Sequence, residues 1–145
     1  MTRPLSDVTV VELTHIIAGP YCGLLLADLG AEVIKVEHPE HADVFRDDSE
    51  DSSSWFNYVN RNKKGITLNL KDEAGNAAFR DIVADADVVV ENFGPGAVER
   101  LGVDYESLRE VNTELVYCSI KGFSEGPYED RPALDPVAEA LSGLM

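Results

Sequence analysis

Residues 8–37 read VTVVELTHIIAGPYCGLLLADLGAEVIKVE, and their hydrophobic rhythm sets the architecture. Val8 to Leu13 is an apolar, β-branched run. After the short loop THIIAGP, the stretch PYCGLLLADLG carries leucines at helical spacing up to Gly30. Ala31 to Glu37 is a second strand-like run, so the order is strand, loop, helix, strand. A span of about 30 residues is what a right-handed crossover needs to lay its second strand parallel to the first.

The same rhythm continues downstream. GITLNL at 65–70 predicts a strand, DEAGNAAFRDIVADA at 72–86 a helix with Asp72 as N-cap, and DVVVEN at 87–92 another strand. After a turn at GPG, Ala97–Leu101 and Tyr105–Val111 predict short helices, ELVYCSIKGF at 114–123 a last strand, and helix resumes near Ala133. Near-continuous apolar strands alternating with helices predict an α/β fold: a doubly wound, Rossmann-like parallel sheet with helices on both faces. The stretch PEHADVFRDDSEDSSS at 39–54 is acidic and poor in apolar residues, which predicts a long mobile loop placed to serve as a lid. The helical pattern runs to Met145 without a cap or breaker, an ending expected of the N-terminal part of a longer protein.

Composition narrows the function classes. With 145 residues, 44% of them hydrophobic, the chain can bury one core. Its 27 acidic against 12 basic residues give a net charge of -15 and a pI near 4.4. That surface repels phosphate backbones and argues against nucleic acid as a partner. Acid spread over patterned elements suits a salt-rich cytoplasm, so a halophilic source is expected. Cys22 and Cys118 have no C-x-x-C spacing and signal neither a disulfide framework nor a metal site. No run reaches the roughly 18 apolar residues of a membrane span, and no signal-peptide pattern opens the chain, so a cytoplasmic location is expected.

In an open parallel sheet, ligands bind beyond the carboxyl ends of the strands. The first such loop, THIIAGP, places His15 and Ala18-Gly19 before a helix, where backbone can approach an anion. It lacks G-x-G-x-x-G, which disfavours a NAD-dependent dehydrogenase. The motif NRNKK gathers Arg61, Lys63 and Lys64 on an otherwise acidic chain; either a phosphate ligand or neutralisation of the acidic loop accounts for it, with Lys71, His38 and Arg100 as further phosphate candidates. ENFGPGAVERLG at 91–102 combines the Asn92 amide with a glycine turn that exposes backbone donors. In DRPALDPVAEALSGLM, Asp135 opens a helix, a place for a nucleophile, an orienting group or an N-cap.

These segments together resemble the family III CoA transferases, the group of formyl-CoA and carnitine CoA transferases and their acyl-CoA racemase relatives. The resemblance covers nearly the whole chain and is carried by residues 4–37, by VNRNKKGITLNLK, by ADVVVENFGPGAVERLG and by LVYCSIKGFSEGPYEDRPALDPVAEALSGLM. It implies that residues 1–145 form the N-terminal part of a large CoA-binding domain, without the small domain, and that the full-length protein is an interlocked homodimer. The implied reaction moves coenzyme A from an acyl-CoA donor to a small carboxylic acid through an aspartyl-CoA thioester, with no metal. The implied nucleophilic aspartate lies beyond Met145, which leaves Asp135 an orienting role. By the same matching Ile17, Ala18, His38, Leu68, Asn69, Leu70, Lys71, Asn92, Phe93, Gly94, Arg100 and the segment from Arg131 to Leu134 are the implied CoA contacts, and His15 and Trp55 line the active site. Two positions depart from the pattern. His38 stands where an arginine often meets the adenosine phosphates, and Ile17 where the formyl-CoA enzyme has a glutamine, which argues against oxalate and formyl-CoA as substrates. A 2-methylacyl-CoA racemase is the nearest rival, but racemases of the family carry a histidine where this chain has Leu134. An inactive CoA-binding module is the remaining alternative for the chain taken alone.

Overall fold

The structure, a computed structural model, describes residues 3–46 and 50–144. Five strands, β1 (Thr9–Leu13), β2 (Glu32–Glu37), β3 (Lys63–Thr67), β4 (Val88–Glu91) and β5 (Val116–Ser119), form one sheet in the order β3-β2-β1-β4-β5. Every pairing is parallel. The helices are α1 (Ala18–Asp28), α2 (Glu50–Asn60), α3 (Glu73–Ala84), α4 (Ala97–Leu101), α5 (Tyr105–Arg109) and α6 (Asp135–Ser142).

Alternation along the strands builds a core on each face. Val11 and Val89 join Phe79 and Val83 of α3, whereas Val10 and Val90 join Ala27 of α1, all of them buried. Adjacent strand residues point to opposite faces, so a strand covered on both sides must be apolar at nearly every position. The expected doubly wound sheet with helices on both faces is therefore present. Strand order reverses at β1, with β2 on one side and β4 on the other, and this reversal opens a crevice at the carboxyl ends of β1 and β4.

Several boundaries differ from expectation. The stretch 39–54 is not one loop, because α2 begins at Glu50. Nor does its first part float: Asp43 is buried, and Arg46 grips the Glu37 carboxylate through Nε at 2.9 Å and an Nη at 2.7 Å. Hydrophobicity alone misjudged these residues, since charged groups anchor them. Residues 47–49 lie outside the described residues. Strand β3 starts two residues before the expected Gly65 and stops at Thr67, level with the end of β2 at Glu37, whose carbonyl accepts a last bond from the Leu68 N–H. Likewise β5 stops at Ser119, level with the end of β4. At the far end, α6 does not run to Met145; Gly143 takes φ 81° and closes the helix, its N–H donating to the Ala140 carbonyl.

Candidate functional site

The turn after β1 lies at the switch point and is held from both sides. The Asn92 side chain accepts from the His15 N–H at 3.0 Å and donates to the His15 carbonyl at 2.9 Å, tying the end of β4 to the end of β1. Gly19 allows this closeness, because a Cβ there would fall 2.4 Å from Thr14 Cβ and 2.9 Å from Asn92 Cγ. The His15 ring lies half-buried, its centroid 5.6 Å from that of Phe93. Burial lowers its pKa, with Lys35 adding to the effect and Asp43 and Glu91 opposing it, so His15 is a neutral imidazole at neutral pH.

Beneath the turn runs a buried network of charges. Lys35 on β2 donates to the Thr14 carbonyl at 2.6 Å and pairs with Glu12 and Asp43, each at 3.4 Å. Lys63 reaches Glu12 at 2.7 Å and also donates to the Pro20 carbonyl and to Asn60. Burial lowers the Lys63 pKa, and the Glu12 carboxylate opposes that shift. Helix α1 passes so close that a Cβ on Gly23 would stand 1.8 Å from Glu12 Oε2. Buried charges hold only when paired and hydrogen-bonded, and here the pairing fastens β1, β2, β3 and the loop after β2 into one block. On the other side of β1, the buried Glu91 accepts from the Phe93 N–H at 2.8 Å, pairs with Lys121 at 3.1 Å and takes the Ser119 hydroxyl.

At the same rim a cavity of about 190 Å³ opens among Leu13, Val36, His38, His41, Leu68, Leu70, Lys71, Phe93 and Leu101. His38, Leu68, Leu70, Lys71 and Phe93, drawn from three separate stretches of sequence, thus share one cavity. The His38 and His41 rings stack at 4.9 Å, and His38 Nδ1 accepts the Glu40 N–H, which leaves Nε2 free to donate. The Asn69 side chain caps the Lys71 N–H and turns the chain from β3 into α3. Burial would raise the Glu37 pKa, but the Arg46 hydrogen bonds and charge and the Asp43 N–H outweigh it, leaving an ionised carboxylate at the cavity wall. An apolar floor with a few cationic and imidazole groups at its mouth suits a ligand that is apolar or aromatic at one end and anionic at the other.

Residues 5–145 match the family described as CoA-transferase family III. The chain belongs to that family. It is 44% identical to the acetyl-CoA:oxalate CoA-transferase of Acetobacter aceti over 98% of this chain and 38% of the relative. It is 43% identical to the succinate–glutarate CoA-transferase of Agrobacterium fabrum over 98% of this chain and, again, 38% of the relative. A CaiB/BaiF family protein from Brucella suis superposes with a TM-score of 0.93 at 43% identity, covering 100% of this chain and 40% of that one. The chain thus spans about two-fifths of the length of these relatives.

Not every residue expected at the site of this family III chain meets in the cavity. Ile17 and Ala18 are exposed at the start of α1, and Gly94 faces open space. Arg100 is exposed and folds back near Gly96. Trp55 is half-exposed on α2, edge-on to Tyr58 at 6.0 Å. Arg131 lines a different and larger cavity, of about 600 Å³, and stands over the Tyr128 ring at 4.8 Å. Leu134 is exposed at the N-cap position of α6, and Asp135 is the first residue inside the helix, not its cap.

The NRNKK cluster has another role. It leads from the last residue of α2 into the first two residues of β3, none of it lines the cavity, and the Lys63 ammonium reaches Glu12 and the Pro20 carbonyl beneath the turn after β1. Arg61 pairs with Asp28, Lys63 with Glu12 and Lys64 with Glu32, which accounts for all three cations without a phosphate. Asp43, His41 and the Glu12–Lys35 pair escaped the sequence reading. A signal for the last was present: a charge flanked by apolar residues, Glu12 in VTVVEL and Lys35 in AEVIKVE, has to find a partner once the strand is buried.

Proposed function

We propose that this chain forms the coenzyme-A-cradling part of a CoA-transferase that moves CoA from an acyl-CoA to a small carboxylic acid. The observation that carries this reading is the convergence of His38, Leu68, Leu70, Lys71 and Phe93 on one cavity at the carboxyl rim of a parallel sheet. In this reading Lys71, His38 and Arg100 meet the phosphates, while Leu68, Leu70 and Phe93 pack on the apolar parts of the ligand. Asn69 shapes the turn that presents Lys71, and Gly94 leaves room for close approach. Asn92 acts through the backbone of His15, since that contact occupies its amide. Ile17 and Ala18 border the pantetheine path, and His15 and Trp55 line the reacting end. Arg131, Leu134 and Asp135 complete the site from α6 and the segment before it, with Asp135 as an orienting carboxylate.

The chemistry proposed for the full-length protein is thioester exchange. An aspartate outside this chain attacks the donor thioester carbonyl and expels the CoA thiolate, leaving a mixed anhydride. The thiolate attacks the aspartyl carbonyl, releasing the donor acid and forming an aspartyl-CoA thioester; the acceptor carboxylate then runs the same two steps in reverse. One thioester replaces another, so no ATP is required, but water must be kept out. An interlocked homodimer in the cytoplasm is the proposed assembly and setting. The relatives' names include oxalate and succinate–glutarate enzymes at nearly equal identity, so overall similarity does not choose the acid; Ile17, an apolar side chain, favours acceptors other than oxalate.

The test uses the full-length protein with an acyl-CoA and a free acid, followed by mass spectrometry of the CoA esters, and calorimetry with CoA. Transfer of CoA to the added acid supports the reading. Absence of any affinity for CoA or its thioesters refutes it.

A further inference from the structure

Ile16 stands at φ 70°, one of two non-glycine residues with positive φ among the described residues. In this left-handed conformation the Cβ crowds the following carbonyl, and a β-branched side chain tolerates it least. Such a conformation persists where the surroundings over-determine it. Here two side chains from distant positions do so. The Asn92 amide holds both backbone groups of His15. The Asp43 carboxylate accepts the Ile16 N–H on both oxygens, at 3.3 and 3.2 Å. Asp43 is itself fixed: its side chain is 1% exposed, it pairs with Lys35, it accepts the Phe45 N–H at 3.1 Å, and its own N–H donates to Glu37.

Ile17 and Ala18 have no side-chain anchor of this kind: Ile17 occupies the N-cap position of α1 with no side-chain cap, and Ala18 begins the helix. The next side-chain hold on the chain is at Pro20, whose carbonyl accepts from Lys63 at 2.7 Å. Between the clamped Ile16 amide and that hold, the Ile16 torsion sets the path of Ile17 and Ala18. We propose that Asp43 is a positioning residue for acyl-CoA recognition: by holding the Ile16 N–H it keeps the left-handed turn that aims Ile17 and Ala18 at the ligand. This rests on the CoA-binding reading above. Because Asn92 holds His15 independently, loss of the Asp43 carboxylate displaces residues 16–18 more than it displaces His15. The effect falls on CoA affinity and KM, and kcat is largely kept.

Four forms of the full-length protein test this: wild type, Asp43→Asn, Ile16→Gly and the double variant. In Asp43→Asn one of the two acceptor oxygens and the charge are lost, so the CoA dissociation constant rises about tenfold, KM for acyl-CoA rises in parallel, and the Ile16 amide exchanges faster than in wild type. Glycine adopts positive φ at no steric cost, so Ile16→Gly alone binds CoA about as well as wild type and the double variant recovers most of the lost affinity. A purely structural role for Asp43, as a partner of Lys35, would not be rescued by a change at position 16. An Asp43→Asn protein with unchanged affinity, or a double variant that fails to fold or to recover, overturns the proposal. The amide exchange of Ile16 is read without ligand: if wild type shows no protection there, the clamp is refuted whether or not CoA binds, while a protected amide in a protein that ignores CoA refutes only the CoA-binding reading and, with it, the assigned purpose of the clamp.

Discussion

Two clusters of cations on the same sheet have opposite fates. Around the start of β3, Arg61, Lys63 and Lys64 each find a carboxylate on α1, β1 or β2. At the carboxyl-end rim, Lys71 and Arg100 form no ion pair among the described residues, and the His38–His41 stack lines a cavity. In a chain of net charge -15, seven of the twelve Lys and Arg side chains pair with a carboxylate among the described residues. Density of positive charge along the sequence is therefore a poor guide to a phosphate site; position relative to the strand ends, and the absence of an internal partner, is a better one.

Mutations separate the two clusters further. Lys63→Met removes one side of a buried pair and leaves the Glu12 carboxylate with the Thr14 hydroxyl and one longer cationic contact to Lys35, so it costs about 3–5 kcal/mol in denaturant unfolding of the full-length protein. Folded molecules of that variant bind CoA as before; a selective loss of CoA affinity with stability intact would show that the cluster around the start of β3 serves the ligand after all. Lys71→Met does the reverse: it weakens CoA binding about tenfold, or about 1.4 kcal/mol, and flattens the salt dependence of binding, while stability stays within about 0.5 kcal/mol of wild type.

His15 gives a smaller, pH-dependent signature. Its folded-state pKa lies below the unfolded value, chiefly through burial, so the unfolded chain binds the proton more readily. The contribution is complete above the unfolded pKa of about 6.5 and is lost as the pH falls from there through the folded value. Stability curves of wild type and His15→Gln therefore converge in slope at higher pH and diverge below about 6.5, where the wild type loses more; parallel curves across that range would contradict a buried, neutral imidazole. The smallest effect belongs to Lys64→Ala. Its pair with Glu32 lies on the surface, with side chains 66% and 49% exposed, and its removal shifts stability by less than about 0.5 kcal/mol. Neighbouring lysines with so different a cost would confirm that burial, not sequence proximity, sets the role of each.

Much of the fold was legible because strand and helix periodicities are local. The run from Val8 to Glu37, the helix capped by Asp72, whose side chain accepts the Ala74 N–H at 2.9 Å, and the glycine turn before Ala97 were all readable in the chain. The misreadings had one physical origin. In the stretch 39–54, low hydrophobicity suggested mobility, yet Asp43 and Arg46 anchor it through charge; in β3, the edge position and the length of β2, not the apolar run, decided where pairing began and ended.

The parallel α/β architecture, the family and the rim on which a ligand would sit could all be read from the order of residues, because hydrophobic period, turn chemistry and motif order are written along the chain. Folding in three dimensions was needed to establish which charges are used up internally, which five of the expected residues share the cavity, and that Asp43 and Asn92 hold the turn around Ile16. Those outcomes depend on pairs 27 and 77 residues apart, whose distances are fixed by strand order and packing and leave no periodic trace in the sequence.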